Sequence, residues 1–170
     1  MVSRKALIFL VIVAVFSCRS KNTNQEDGEL LVYLLNTQTS NPVQKSCNEF
    51  ASLEKNCVKE PDSITLTCSN EEIERIRHGI EPSDKRTDDV LSGFYDCWSK
   101  CNIVYNNQET ICSNQKFQTS KYYRESQKSG ESQASISWGV CIEKCNQGES
   151  QEPSLKDANV TYTTQVYKNL

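Results

Sequence analysis

The chain is predicted to be all-α, a small disulfide-stapled bundle of about five short antiparallel helices built on a 44-residue internal repeat. Three observations carry that expectation. The first is a cysteine grid: Cys57, Cys68 and Cys97 recur 44 residues on as Cys101, Cys112 and Cys141, and Cys101 recurs as Cys145. Phe50, Phe94 and Trp138 share one repeated position, and a Cys-Ser-Asn triplet opens at both Cys68 and Cys112, as a duplicated unit would place them. The second is helical spacing, since Phe94, Cys97, Trp98 and Cys101 stand at i, i+3, i+4 and i+7, and Trp138, Cys141, Ile142 and Cys145 repeat that face. The third is the shortness of the polar connections, which favours antiparallel neighbours.

Residues 1–20 read as a secretory signal, with Arg4 and Lys5 ahead of an apolar stretch over 6–16 and a small-residue exit at Ser17 or Ser20. That stretch is too short to span a membrane. Nine cysteines become eight when Cys18 leaves with the signal, enough for four closed pairs, which favours the later cut. A lipidated Cys18 gives the same parity, but Phe16 fits the lipoprotein recognition site poorly.

Residues 21–46 form a polar N-terminal segment with a short apolar run at 30–35, and the cysteine-rich helical repeat domain covers 47–146. Phe50, Leu53 and Cys57 give a first, weaker helical face in which Leu53 stands where the later copies carry cysteine. Ser69 and Glu72 have capping-box spacing and open a helix whose stripe is Ile73, Ile76 and Ile80. A third helix is expected over 88–103. A fourth should start at Ser113 with Phe117 and Tyr122 on its face and end at Gly130, and a fifth carries Trp138 to Cys145. The tail, 147–170, is polar and expected to be mostly disordered.

Signal removal takes three cations and no acid, leaving 16 basic against 22 acidic side chains and a net charge of -6. That sign argues against nucleic acid and anionic lipid as partners. Eight cysteines in an oxidising compartment read as disulfides, not as metal ligands, because the chain has a single histidine, His78, and its C-x3-C pairs are wider than usual zinc pairs. No cofactor is expected. The chain carries no G-x-S-x-G elbow, no HExxH and no Gly-rich phosphate loop, and His78 reads as a solvated residue before Gly79. An enzyme is therefore not expected. Lys85-Arg86 is a dibasic processing candidate, and cleavage there would leave three mature cysteines upstream and five downstream, so that a disulfide must join the pieces. Asn159-Val160-Thr161 is a glycosylation sequon.

Duplication combined with antiparallel packing predicts equivalent staples. Cys68 should bond Cys97 or Cys101, Cys112 should bond the corresponding member of Cys141 and Cys145, and Cys47 and Cys57 should take the two cysteines left over. The spacing from Cys68 through Cys97 and Cys101 to Cys141 is similar to the first four cysteines of insect odorant-binding proteins, helical carriers with an apolar cavity. The last two cysteines of that pattern have no counterpart, and Cys112 is inserted. The function expected is that of a secreted binding protein, venom-effector or toxin-like or an extracellular signal, acting on an extracellular protein such as a receptor or channel. A carrier of small apolar ligands and an extracellular matrix or shell component are the alternatives.

Overall fold

The computed structural model describes residues 41–163 except 109, 110 and 115; the signal, Cys18 and the apolar run at 30–35 lie outside the described residues. The described residues form six α-helices: α1 (Pro42–Lys55), α2 (Asn70–Arg77), α3 (Asp88–Asn107), α4 (Ile111–Asn114), α5 (Ser120–Lys128) and α6 (Gln133–Asn146). Two short strands, β1 (Ile80–Glu81) and β2 (Thr161–Tyr162), pair antiparallel with Ile80 opposite Tyr162, so the protein is mostly helical with a small sheet.

Helix α3 is the axis, packing most extensively against α1 and α6. Its start is set by Thr87, whose hydroxyl accepts from the Val90 N–H at 3.3 Å, and by Asp88 and Asp89 at the positive end of the helix dipole. The face expected from spacing is the buried one: Phe94, Trp98 and Cys101 are fully enclosed and Cys97 nearly so, together with Leu91 and Tyr95. Around Trp98 gather Phe50 of α1, Phe94 and Tyr95 of α3, and Tyr162 of β2, with ring centroids 4.8 to 6.1 Å from its own. The Trp98 indole N–H donates to Asn146 Oδ1 at 3.0 Å, which satisfies the polar atom of the ring at the centre of the cluster.

Helix α1 begins at Pro42, inside the segment expected to be polar and five residues before Cys47, because Asn41 caps it by accepting from the Val43 N–H and Pro42 suits the first helical turn. Cys57 lies beyond its end, so the face of Phe50, Leu53 and Cys57 is shorter than the spacing suggested. At α2 the Ser69 hydroxyl accepts from the Glu72 N–H, as a capping box requires. The carboxylate, however, reaches past Ser69 and accepts from the backbone N–H groups of Thr67 and Cys68 at 2.7 and 3.1 Å, which suits the left-handed turn at Cys68. Ile73 and Ile76 form the buried stripe of α2, whereas Ile80 has passed into β1.

The helix expected from Ser113 is displaced. The second triplet lies within the single turn α4, and the chain then runs extended beside residues 57–60, with Phe117 N–H donating to Cys57 O and Lys59 N–H to Phe117 O. The Cys57–Cys112 bond and this ladder hold the segment out of a helix until Ser120. Tyr123, not the exposed Tyr122, consequently faces the core.

The segment after Gly148, expected to be disordered, is packed as far as Thr163. Leu155, Val160 and Tyr162 are buried, Lys100 pairs with Glu152, and the Thr163 N–H donates to Gly79 O at 2.8 Å. Its scattered apolar residues cover the end of the aromatic cluster, a nonlocal role that local polarity conceals. Two glycines let it dock. A Cβ at Gly93 would collide with Ser154, and one at Gly148, whose φ is +69°, would collide with the Val160 carbonyl. Gly148→Ala is expected to cost about 1–3 kcal/mol from backbone strain and to free β2, read as a lower urea midpoint with faster exchange of the Thr163 amide. An unchanged exchange rate would mean that β2 docks independently of this turn.

Candidate functional site

The eight cysteines among the described residues form four pairs, and the pairing is not the equivalent one expected. Cys97 bonds Cys145 and Cys101 bonds Cys141, with Cα separations of 5.8 and 5.6 Å, so the two C-x3-C pairs bond each other. Cys68 bonds Cys47, and Cys112 bonds Cys57. The cause is packing: α3 lies against α6 and α1, and its contacts with α2 are too few to bring Cys68 to its cysteines. One turn apart on each helix, the sulfurs of α3 and α6 face one another across the interface. The bonds close separations of 21, 55, 48 and 40 residues, not two of about 30.

The result is a double staple between two antiparallel helices. Cys101 and Cys145, partners in different bonds, bring their Sγ atoms to 3.5 Å. Below the staple, Asn102 Oδ1 accepts from the Trp138 indole N–H and from the Gln127 side-chain amide, both at 2.9 Å, tying α3, α5 and α6 together in a buried site. On the opposite side of α6, Ile136 and Val140 lie about half exposed at i and i+4, among Gln133, Glu143 and Lys144. Ile103 and Val104 on α3 are similarly exposed.

The space that a ligand carrier would keep empty inside the bundle is occupied by the rings around Trp98. An open groove of about 700 Å³ runs between α3 and the C-terminal segment, where Pro42, Val90, Pro153 and Ala158 line it together with the acidic Asp89, Asp96 and Glu152. Among the described residues no helix is long and apolar enough to cross a membrane.

The processing candidate is tied into the fold. Arg86 donates from Nε to the Ile80 carbonyl at 2.9 Å and from an Nη to Glu81 at 2.8 Å, and its other Nη lies 3.4 Å from His78 Nδ1. The carbonyl of the Arg86–Thr87 peptide bond in turn accepts from Arg77 at 3.0 Å, while Lys85 is exposed at the end of a 3₁₀ turn. His78 caps the C-terminal end of α2 beside Arg86. Asn159 is exposed in a left-handed turn, and its sequon runs directly into β2 through buried Val160.

Two features escaped the spacing analysis. Glu54 is buried on α1 and paired with the buried Arg124 of α5 through two 2.9 Å bonds, with Ser120 donating to the same carboxylate. A signal existed, since Glu54 continues the Val43, Cys47, Phe50 stripe at i+11, i+7 and i+4, where a carboxylate is out of place unless something meets it. The second is a set of buried tyrosines, of which burial raises the phenols of Tyr95, Tyr105 and Tyr162. Burial pushes the Tyr162 phenol up to about 12, with Arg75 opposing, and raises Tyr95 as well; the Tyr95 hydroxyl has no hydrogen-bond partner among the described residues.

Raised phenol values mean that the fold favours the protonated form. The unfolded chain ionises first, near pH 10, so the contribution is whole below that pH and is lost as pH rises through about 12. For Tyr162 the loss is on the order of 2 kcal/mol. Brief alkaline exposure followed by tyrosinate absorbance should show the phenols of Tyr95, Tyr105 and Tyr162 titrating late and together with unfolding; early titration of all three would contradict the burial.

No protein-family model, curated protein or solved structure matches the chain.

Proposed function

We propose that the chain is a secreted, non-enzymatic binding protein of the effector, toxin-like or extracellular-signal type, which engages a receptor, channel or other extracellular protein through its surface. The observation that carries this reading is the apolar pair Ile136 and Val140 on the outward face of a helix that two disulfides fix to the central helix. A helix held this rigidly loses little conformational freedom when a partner covers it, so more of the contact energy remains as affinity. Four disulfides support an oxidising compartment. The filled aromatic core supports surface recognition over internal carriage of an apolar ligand. The proposed duplication draws support from α1, α3 and α6, which place Phe50, Phe94 and Trp138 in the core from 44-residue-spaced positions.

The test is binding of fluorescently labelled oxidised protein to cultured neurons and muscle cells, with unlabelled protein as competitor. Saturable, competed binding is expected, and the double variant Ile136→Glu/Val140→Glu should weaken it at least tenfold while keeping its circular dichroism. Equal binding by the variant would remove α6 as the contact surface. Stoichiometric uptake of a fluorescent apolar probe by the folded protein would instead favour the carrier reading.

A further inference from the structure

We propose that in the reduced chain Cys97, Cys101, Cys141 and Cys145 hold one thiophilic divalent cation of the zinc class as a tetrathiolate. In the oxidised structure the Sγ atoms of Cys101, Cys141 and Cys145 already lie within 4.8 Å of one another, and Cys97 is bonded to Cys145. A tetrahedral zinc site with Zn–S bonds near 2.3 Å needs sulfur–sulfur edges of about 3.8 Å. The 3.5 Å approach of Cys101 to Cys145 is close to that edge, and the two bonded pairs need only open by side-chain rotation.

The placement is built by the fold and does not depend on the bonds alone. Each helix offers its two sulfurs one turn apart, and α3 and α6 present them to each other while Trp98, Trp138 and Asn102 pack around the same interface. Cys101 and Cys145 are buried and Cys141 is partly exposed, which gives a dry site with one open side. The other four cysteines do not join the cluster, because their bonds lie between other segments.

Metal and disulfides are alternative occupants of the same four sulfurs. Two dithiol reductant molecules each give two electrons and two protons to one disulfide, producing four thiols and two reductant disulfides. Binding of one cation by the four thiols then releases four protons. The cation would hold α3 against α6 in a chain that has yet to form its bonds.

The full chain, reduced with a phosphine under anaerobic conditions, is titrated with cobalt(II) and then with zinc(II). One cobalt per chain is expected, with the intense visible absorption of a tetrahedral tetrathiolate, bleached by zinc and accompanied by a gain of helix. Cys97→Ser/Cys101→Ser should lose at least tenfold in cobalt affinity together with the four-sulfur spectrum, and Cys47→Ser/Cys68→Ser should keep both. Alkylation mapping of the zinc-loaded chain gives a readout independent of how well a variant folds: Cys97, Cys101, Cys141 and Cys145 should be protected and Cys47, Cys57, Cys68 and Cys112 labelled. Absence of the tetrathiolate spectrum in the parent chain, equal loss in both variants, or protection extending to Cys47, Cys57, Cys68 and Cys112 would overturn the proposal.

Discussion

Trp98→Ala should destabilise the protein by about 3–5 kcal/mol, the range for removing a large aromatic side chain from a packed core. The residue is fully buried and touches rings from α1, α3 and β2, so its loss opens a cavity where the N-terminal helix, the central helix and the C-terminal strand meet. It also leaves Asn146 Oδ1 without its indole donor. Urea unfolding of the oxidised protein gives the value. Tyr122→Ala, at an exposed aromatic, is the control and should stay within about 0.5 kcal/mol of the parent. Similar losses in the two variants would mean that the aromatic cluster is not the centre of the core.

The second large effect is expected at Arg124. Arg124→Ala leaves the Glu54 carboxylate buried with, among the described residues, the Ser120 hydroxyl as its remaining side-chain donor, a change that costs about 3–5 kcal/mol in comparable buried pairs. Replacing both partners, Glu54→Leu with Arg124→Leu, removes the stranded charge and should cost far less. The comparison of single and double variants by urea unfolding separates the penalty of an unpaired charge from the net value of the pair. A double variant as unstable as the single one would show that the pair stabilises the fold in its own right.

What was legible in the sequence follows the range of the forces involved. The faces of α3 and α6 were readable because Phe94, Cys97, Trp98 and Cys101, and Trp138 and Cys145, express burial through local spacing alone. The cap at Ser69 was readable for the same reason. Connectivity was not. Both sulfurs of a C-x3-C pair face one neighbour, and spacing does not say which helix that neighbour is. The assumption of equivalent staples also overlooked that Leu53 occupies the position where a third C-x3-C pair would need its first cysteine, which left the two later pairs as each other's natural partners. Tyr162 looks isolated in a polar tail, and its burial depends on Phe94, Trp98 and Ile80 offering a surface more than 60 residues away.

The bond pattern has a topological consequence under attack by a protease. The loops closed by Cys47–Cys68, Cys57–Cys112 and Cys97–Cys145 overlap in sequence, so every peptide bond from Cys47 to Cys145 lies inside at least one of them. No single hydrolysis in that stretch can divide the molecule. It adds the mass of one water and leaves one particle, whose fragments separate only after reduction, so a population nicked once at many different places would still migrate and diffuse as a single species.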